Sequence, residues 1–416
     1  MPKDGRLVIP RDMCIEGTDI PRASPDSTWK YLGVLFTPYG LLSGSVGGII
    51  QSVNKLMYSR MTPLRKLVSL RSYVMPSYIH RLVLTDFKTK MLRSVDVAIR
   101  RAIRVALRIP HDTPNAYLYA PIADGGLGVM ELATAIPELR EARVRRARCA
   151  LFGVQDETPE VTRVERSRKR AEKWHGTADG RHMRTARKVT ESTAWVKADD
   201  GKVPRWRTLA AIKTQCNGIP TRARMTRGRN GVTSCRNGCS ARETANHIIQ
   251  MCPVTRRARC RRHNCVCTLF SGYAQRKGWT VMAETIINLD GSRLKPDLII
   301  VRNDVAYIID VAITCNEDTY PMGRVFNNKM DKYGATTVKE VIMELTGMQR
   351  VEMVPAILTW RGLWLEKSAK MLKRLVPSFI LEWASRRTVD GSGYIWAAYM
   401  RNERSRARTE PSQGQL

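Results

Sequence analysis

Residues 296–311 read PDLIIVRNDVAYIIDV, two apolar runs on either side of the short polar segment 302–304. Apolar, β-branched runs around such a loop predict a β-hairpin. Asp297 stands at the start of the first predicted strand, and Asp310 lies near the end of the second. Because pairing across a short loop brings those two ends together, we expect the two carboxylates to lie close to each other.

Two converging carboxylates are typical of sites that bind Mg²⁺ and cleave phosphodiesters, since the ion lowers the pKa of a bound water and neutralises charge on the phosphate. In the simple form of such a site a lysine follows two residues after the second acid, but that position is Ala312. Lys329 and Lys332 lie three residues apart on one face of a predicted helix, and either can supply the ammonium. Glu284, on a predicted preceding helix, is a further candidate ligand. The alternative is that both acids are cap and edge residues of an ordinary α/β domain.

A cluster of metal-ligating residues precedes the hairpin. Its members follow a Cys-x3-Cys-x7-His-x4-Cys pattern, which has the chemistry and close spacing of a tetrahedral zinc site; they are Cys235, Cys239, His247 and Cys252. A segment this short cannot bury its own core, so a structural Zn²⁺ is predicted to hold it together. The alternative is three unrelated reduced cysteines near a surface histidine. The cysteines that follow lack a matching second pair, so a second zinc site is the weaker interpretation; they are Cys260, Cys265 and Cys267.

The chain carries a large excess of positive charge. Its 416 residues include 70 Lys and Arg against 38 Asp and Glu, a formal net charge of +32. This balance indicates a polyanion partner, since each neutralised phosphate releases a counterion. The alternative is a basic scaffold protein or an unspecific basic surface. Nucleic-acid contacts are predicted for basic residues on a helix near residue 100 and on both sides of the cysteine cluster: Arg100, Arg104, Arg108, Arg222, Arg224, Arg227, Arg262 and His263.

The composition also limits the class of protein. Hydrophobic residues make up 43% of the chain, which permits sizeable cores and excludes wholesale disorder. No apolar run reaches the ~18 residues that a membrane span needs, so no membrane partner is expected. The start of the chain has no signal-peptide pattern. The cysteines are therefore expected in a reducing compartment, where metal binding is favoured over disulfides.

The predicted organisation is a multidomain α+β protein. Residues 1–40 include an apolar strand at 29–36 followed by a turn, and nothing upstream completes its sheet, so the chain is expected to begin inside a domain. Residues 41–135 have helical spacing. Residues 136–230 are helical and rich in arginine, and are either a basic linker or a nucleic-acid-binding segment with some packed tryptophans. The remaining divisions are the zinc knuckle at 231–268, a C-terminal α/β domain at 269–400 and a disordered tail at 401–416.

Taken together, these residues resemble the C-terminal half of a non-LTR retrotransposon polyprotein of the R-two clade, whose members insert into ribosomal RNA genes. The resemblance covers essentially the whole chain. Each motif alone is weak, but the ordered set is distinctive. In chain order the matching segments are Tyr31-Leu32-Gly33-Val34, Arg108-Ile109-Pro110, Asp124-Gly125-Gly126-Leu127-Gly128, the zinc knuckle, Arg262-His263-Asn264, Pro296-Asp297 to Asp310, and Lys329 to Tyr333.

The resemblance implies a role for each part of the chain. Residues 1–40 would close a reverse transcriptase palm and 41–135 would form its thumb, while the knuckle would support DNA binding and strand opening. The last domain would be a restriction-like endonuclease, related to the PD-(D/E)xK enzymes, that nicks target duplex DNA so that the freed 3′-hydroxyl primes reverse transcription of the element RNA. Asp297 and Asp310 would then hold catalytic Mg²⁺, with Lys329 or Lys332 as the catalytic lysine and Tyr333 nearby. A nuclear location is also implied.

One departure from the family pattern concerns the polymerase. A reverse transcriptase needs paired aspartates upstream of the Tyr31-Leu32-Gly33 strand, and the only adjacent pair, Asp199-Asp200, lies far downstream and is interpreted as a turn. The chain is therefore expected to be a fragment, with the rest of the polyprotein upstream, that does not polymerise by itself. A non-catalytic zinc-knuckle protein that binds nucleic acid is the main alternative. A stand-alone restriction-like nuclease is a second, against which the thumb-like segment argues.

Overall fold

The computed structural model describes most of the chain, namely residues 14–19, 24, 26–31, 34–38, 40–41, 46–85, 87–153, 159–197, 203–289, 291–315 and 319–409. The fold is mixed α/β, as the sequence predicts. Two compact units are built from interleaved segments of the chain. The first consists of Met1–Lys55, Ser72–Ile99 and Glu131–Glu157, and the second of Leu56–Arg71, Arg100–Met130 and Thr158–Leu416.

The described residues form eleven strands and fourteen α-helices. The strands are β1 (Cys14–Ile15), β2 (Thr18–Asp19), β3 (Trp29–Tyr31), β4 (Val34–Thr37), β5 (Gly40–Leu41), β6 (Thr280–Ala283), β7 (Ile287–Leu289), β8 (Ser292–Leu294), β9 (Leu298–Arg302), β10 (Val305–Thr314) and β11 (Arg350–Thr359). The helices are α1 (Gly47–Tyr58), α2 (Pro63–Ser69), α3 (Met75–Leu84), α4 (Thr89–Leu107), α5 (Asn115–Tyr119), α6 (Leu132–Phe152), α7 (Pro159–His175), α8 (Arg205–Gln215), α9 (Arg222–Met225), α10 (Arg256–Arg276), α11 (Thr319–Gly334), α12 (Thr336–Thr346), α13 (Glu366–Leu372) and α14 (Ser378–Thr409). Single π-helical turns lie at Leu70–Val74 and His247–Met251.

The first unit combines small sheets with helices. The apolar run at 29–36, predicted as one strand, instead forms the antiparallel pair β3 and β4, in which Tyr31 lies opposite Val34. The two residues between these strands, at 32–33, lie outside the described part of the chain. In the helical part the Asp96 carboxylate accepts hydrogen bonds at 2.9 Å from the backbone N–H groups of Leu132 and Ala133. These donors begin α6 and have no partner within the helix, so the buried aspartate caps it.

The second unit is built on a four-stranded sheet with the order β11-β10-β9-β6. Strands β6, β9 and β10 are antiparallel, whereas β10 and β11 are parallel and are joined through α11 and α12. Strand β10 has a neighbour on each side and is buried along most of its length, which explains its almost unbroken apolar sequence. Helix α10 packs against the sheet and against α14. Phe270 of α10, Ile309 of β10 and Trp364 belong to one core.

The predicted hairpin at 296–311 is confirmed. Strands β9 and β10 pair from Arg302 opposite Val305 to Leu298 opposite Ile309. Asn303 and Asp304 form the turn with φ of +47° and +59°. Two successive left-handed residues twist the chain in the same sense as the flanking strands, and Asn and Asp tolerate that conformation better than most residues. The turn chemistry therefore fixes the register that sets Asp297 against Asp310.

The arginine-rich segment that we interpreted as a possible linker is largely packed. Trp174 is fully buried and Trp195 nearly so, whereas Trp206 is exposed. Asp179 is buried as well, and its carboxylate receives the guanidinium groups of Arg224 and Arg227, each at 2.7 Å. Charge in this segment is thus used partly for internal ion pairs, and residues 159–230 contribute to the second unit rather than connecting separate domains.

Replacing Asp179 by asparagine should lower the free energy of unfolding at pH 7 by about 3 kcal/mol, because the buried Arg224 loses the buried one of its two carboxylate partners. Despite the opposing effect of burial, the two arginines lower the pKa of Asp179. Its contribution is therefore present above the unfolded-state pKa of about 3.9 and is lost as the pH falls through the lower, folded-state value. Urea unfolding of the unsubstituted chain and of the Asp179→Asn variant, at several pH values between 3 and 7, measures the difference in their free energies of unfolding. A difference that stays constant across the range would contradict it.

Two further predictions concern the end and the middle of the chain. The backbone is helical to Thr409, so residues 401–409 of the predicted disordered tail belong to α14, and 410–416 lie outside the described residues. Asp199-Asp200, interpreted as a turn, also lies outside them. Among the described helices, none combines the length and the apolar character that a membrane crossing requires.

Candidate metal sites

The two acids of the hairpin lie opposite each other at one end of the sheet. Leu298 opposite Ile309 is the last strand pair, so the next position in the register brings Asp297 against Asp310. Residues directly opposite in an antiparallel pair place their side chains on the same face. Asp310, in the central strand, is 2% exposed, while Asp297 is half-buried. The structure thus brings together the two carboxylates that the sequence predicts to converge.

Asp310 is paired with a lysine from the following helix. The Nζ of Lys329, on α11, forms an ion pair with Asp310 Oδ2. Burial raises the pKa of Asp310, with the charge of Asp297 adding to the rise and Lys329 opposing it. Lys332 is exposed, and its Nζ lies 4.9 Å from the centre of the Tyr333 ring. Of the two candidate lysines, the geometry therefore favours Lys329.

Tyr333 forms a wall beside the two acids. It is buried, and its hydroxyl donates a hydrogen bond to the carbonyl of Lys295 at 3.1 Å. Burial and the nearby carboxylates of Asp310 and Asp297 raise its pKa well above the usual tyrosine value. Its hydroxyl therefore stays protonated at neutral pH, as a donor beside the acids.

Asp297 is held by helix α10 and by the backbone of β10. The backbone N–H of Val311 donates to Asp297 Oδ2 at 2.7 Å, and the Nε2 of His263 lies 3.2 Å from the same oxygen. Burial alone would lower the pKa of His263, but its hydrogen bond to Asp297 raises that pKa to about 11. His263 is thus charged at neutral pH and fixes the carboxylate. For His263 the sequence predicts phosphate contact or, as the alternative, a catalytic support role; its side-chain contact here is with Asp297 of the acid pair.

Cys267 is a neighbour of this site that the sequence did not single out. Its Sγ lies 3.7 Å from His263 Nδ1, four residues earlier on α10. Cys267, His263 and Asp297 offer ligand atoms within 4.8 Å of one another, so they can hold a metal ion once His263 and Cys267 lose their protons. Because His263 and Cys267 are four residues apart on one helix, their spacing in the sequence already indicates that the two side chains are neighbours.

Glu284 was predicted on a helix as a further ligand of the acid site. It instead follows β6, is exposed and forms an ion pair with Lys295.

The four predicted zinc ligands come together. Their ligand atoms all lie within 4.8 Å of one another. Cys239 Sγ is 3.1 Å from His247 Nε2 and 3.8 Å from Cys252 Sγ. A tetrahedral ion with bonds of about 2.3 Å to sulfur sets two sulfurs about 3.8 Å apart, so this geometry fits a zinc ion. Gly238 permits the turn between the first two cysteines with φ of +86°.

The zinc segment shares a core with the rest of the second unit. Ile248 and Ile249 belong to one buried cluster with Trp360, Ile395 and Tyr399, the last two from α14. We expected the segment to depend on metal because it is too short for a core of its own. The structure corrects this picture, since α14 supplies apolar partners that the spacing of the cysteines does not reveal.

A buried acid supports the ligand Cys235. Glu243 is fully buried, and its carboxylate accepts hydrogen bonds from the Arg236 guanidinium at 2.7 and 2.8 Å and from the Tyr399 hydroxyl at 2.7 Å. Tyr399 Oη in turn lies 3.1 Å from Cys235 Sγ. Although burial opposes it, Arg236 lowers the pKa of Glu243. Partners of this kind orient metal ligands, and their loss weakens metal binding.

Two arginines predicted to contact nucleic acid are buried. Arg262 is 4% exposed and donates to Ser392 Oγ of α14 at 2.8 Å and to the side chain of Gln250 in the zinc segment. Burial lowers its pKa to about 9. Arg224 is occupied by Asp179 and Asp112. Both guanidinium groups are largely buried in internal contacts, which argues against the predicted phosphate contact for either.

The other predicted contacts are partly available. Arg100 and Arg104 are half-buried and donate at 2.9 Å to the Tyr119 hydroxyl and to the Thr113 carbonyl. Arg222 donates to the carbonyl of Ser234 at 3.1 Å. Arg108 and Arg227 are exposed.

A basic groove on α10, which the sequence analysis did not identify, is lined by Arg256, Arg257 and Arg261. Cys260 and Cys265 are also exposed along this groove. Among the described residues they join no group of metal-ligating side chains, which gives no support to a second zinc site there.

Comparison with known proteins agrees with these features. No protein-family model matches the chain. The chain is 31% identical over 361 residues, 83% of its length, to the "Retrovirus-related Pol polyprotein from type-1 retrotransposable element R2" of Nasonia vitripennis. It is 29% identical over 395 residues, 88% of its length, to the Pol polyprotein from the type-2 element R2DM of Drosophila melanogaster. A type-1 R2 Pol polyprotein of Popillia japonica is 26% identical over 429 residues, 97% of this chain.

These matches cover different shares of the relatives. The aligned region is 35% of the Nasonia vitripennis protein and 36% of the Drosophila melanogaster protein, so the chain spans about a third of their length. It spans 87% of the Popillia japonica protein. An alignment over 97% of the chain includes both the zinc segment and the acid-bearing sheet. The chain belongs to the family of Pol polyproteins of R2 retrotransposable elements.

Proposed function

We propose that the chain contains a metal-dependent endonuclease that nicks target duplex DNA, with its site at Asp297 and Asp310. The observation that carries the proposal is the opposed pair of carboxylates at the sheet end, with the Lys329 ammonium against one of them. Carboxylate oxygens are the ligands that Mg²⁺ prefers. Bound there, Mg²⁺ would lower the pKa of a water and neutralise charge on the scissile phosphate.

The residues of the chain have distinct parts in this proposal. His263 and the Val311 N–H hold the Asp297 carboxylate in one orientation, so that little reorganisation is needed when the ion binds. Lys329 keeps positive charge beside Asp310 and orients the attacking water or steadies charge on the phosphate. The ordering of these groups before the substrate arrives is the physical basis of the expected rate.

The zinc segment has a structural role in the proposal. All four ligands come from side chains, which leaves no open position for substrate, so the ion is a structural Zn²⁺. It orients neighbouring basic residues on nucleic acid, including Arg222, Arg227 and the groove residues of α10. The net charge of +32 supports a polyanion partner.

The wider setting follows from the family. We infer that the nick primes reverse transcription of the element RNA, that the target is a ribosomal RNA gene, and that the protein acts in the nucleus. Residues 1–40 and 41–135 are assigned by the same inference to the end of a reverse transcriptase palm and to its thumb. The relatives named above are Pol polyproteins, and their names are the support for this setting.

The two lysines of α11 provide the test. Lys329→Ala should reduce Mg²⁺-dependent nicking of a supercoiled plasmid by about 10²-fold, because the ammonium beside Asp310 is lost. Lys332→Ala, which removes the same charge from an exposed position one turn away, should leave nicking within about twofold.

Equal effects of the two substitutions would refute the assignment of Lys329. Plasmid binding without cleavage at any Mg²⁺ concentration would instead favour a non-catalytic nucleic-acid-binding protein. Mobility shifts in buffer without Mg²⁺, run in parallel, separate that outcome from failure to bind.

A further inference from the structure

A cavity beside the zinc segment has no part in the proposed cleavage. Its volume is about 360 Å³, and it lies within the second unit between the turn after α7, the loop before α9 and the residues that precede His247. Volumes of about 300–1,000 Å³ are typical of sites for small ligands. The side chains that line it include Ala178, Arg181, Ile219, Arg242, Asn246 and Trp360.

The rim of the cavity is positively charged. Arg181 and Arg242 are exposed there, and among the described residues neither forms an ion pair with a carboxylate. Two buried acids lie close to these arginines in the chain, but both are occupied: Asp179 by Arg224 and Arg227, and Glu243 by Arg236 and the Tyr399 hydroxyl. The rim therefore has uncompensated positive charge, which suits an anionic group such as a phosphodiester.

The lining of the cavity is mixed, with an apolar part formed by Ile219 and Trp360 and two polar atoms that lack partners among the described residues. Ile219 and Trp360 are 3% and 2% exposed. These polar atoms are the indole N–H of Trp360 and the buried amide oxygen of Asn246, for which the described part of the chain offers no hydrogen-bond partner. A buried polar atom without a partner is costly and calls for an explanation. A donor and an acceptor against an apolar wall complement the edge of a nucleobase, which carries both.

We propose that this cavity binds one unpaired nucleotide of a nucleic-acid strand, with the base against Trp360 and Ile219 and the phosphate at Arg181 and Arg242. A free inorganic anion would satisfy the rim but would leave the indole N–H and the apolar wall unused. The inference rests on the proposed function only in taking nucleic acid as the partner. It adds a site for an unstacked base, on a part of the chain away from the Asp297–Asp310 pair.

Short oligonucleotides of equal charge test the proposal. We would measure binding of the zinc-loaded full chain, by fluorescence anisotropy without Mg²⁺, to a labelled thymidine tetranucleotide and to a tetranucleotide of abasic residues. The intact strand should bind about five to ten times more tightly, because only it can bury a base. A uridine tetranucleotide as a third ligand distinguishes an RNA source from a DNA source.

Three variants locate the effect. Asn246→Ala should remove most of the preference for the intact strand, and Ala178→Leu, which narrows the cavity from an exposed position, should do the same. Arg242→Gln should weaken both strands alike. Arg229→Gln removes an equally exposed arginine outside the cavity and should leave the preference unchanged. Zinc content and melting temperature, measured for every variant, show whether a loss arises from misfolding.

The outcomes separate the two hypotheses. A preference for the intact strand that survives both Asn246→Ala and Ala178→Leu, with zinc content unchanged, would overturn the nucleotide cavity while leaving the nuclease proposal intact. Equal binding of the intact and abasic strands by the unsubstituted chain would overturn it as well. Failure to bind any strand or plasmid would count against the proposed function itself.

Discussion

Asp310→Asn should reduce Mg²⁺-dependent nicking by on the order of 10³-fold or more. The substitution replaces a charged oxygen ligand by a neutral amide on the central strand, opposite Asp297. Binding of the ion and neutralisation of the phosphate both depend on that charge, and several kcal/mol of barrier correspond to a factor of this size. Single-turnover nicking of a labelled duplex over a range of Mg²⁺ concentrations measures the effect.

The same substitution should leave the fold intact. The pKa of Asp310 is raised by burial, so its contribution to stability is present at low pH and is lost as the pH rises through the folded-state value. At neutral pH the buried carboxylate therefore does not favour folding, and the isosteric amide should unfold at the same temperature or higher. Lys329, left without its partner, is partly exposed and stays solvated. A lowered melting temperature, or full nicking at saturating Mg²⁺, would contradict the assignment.

Cys239→Ala should abolish zinc binding and lower the free energy of unfolding by on the order of 5 kcal/mol. Cys239 Sγ contacts both His247 Nε2 and Cys252 Sγ, so the substitution removes one of four ligands and leaves three for the ion. Apparent Zn²⁺ affinities in finger peptides correspond to about 10–16 kcal/mol. The loss here should be smaller, because the core shared with α14 keeps part of the segment folded without metal. At roughly 2–4 °C per kcal/mol, the melting temperature should fall by about 10 °C or more.

A matched control is available on α10. Cys265→Ala removes an exposed thiol that joins no group of metal-ligating side chains in the described part of the chain, so it should keep both zinc content and melting temperature. Zinc released on unfolding, quantified with a colorimetric chelator, gives the stoichiometry. Retention of one zinc per chain in the Cys239 variant would show that the ion is bound elsewhere.

The features that sequence analysis predicted correctly depend on short-range constraints. The hairpin follows from two residues, Asn303 and Asp304, whose conformational tolerance fixes the register of β9 and β10. The zinc cluster follows from the spacing of its ligands within a single segment. In both cases the information lies within about twenty residues, and no knowledge of the rest of the fold is needed.

The features that sequence analysis misjudged or left open depend on distant partners. Arg262 and Arg224 look like surface cations in the sequence, but Ser392 and Asp179, which hold them, lie 130 and 45 residues away. Helical spacing puts Lys329 and Lys332 near each other without showing which one the helix turns toward the sheet. Cys267 was not predicted to lie near the acid pair, because Asp297 is distant from it in the sequence and does not belong to α10.

The burial of Arg262 has a consequence for whether the zinc segment can be separated from the sheet that bears Asp310. Its guanidinium joins Gln250 to Ser392, and the Gln250 side-chain amide donates at 2.6 Å to the carbonyl of Ile313, three residues beyond Asp310 on the same strand. Deleting the zinc segment would expose the indole of Trp360 and would leave the buried guanidinium of Arg262 without its partner Gln250. The zinc segment is therefore not an independent module that can be exchanged for one from another protein. Nucleic-acid specificity is better altered by replacing side chains on the outer surface of the segment.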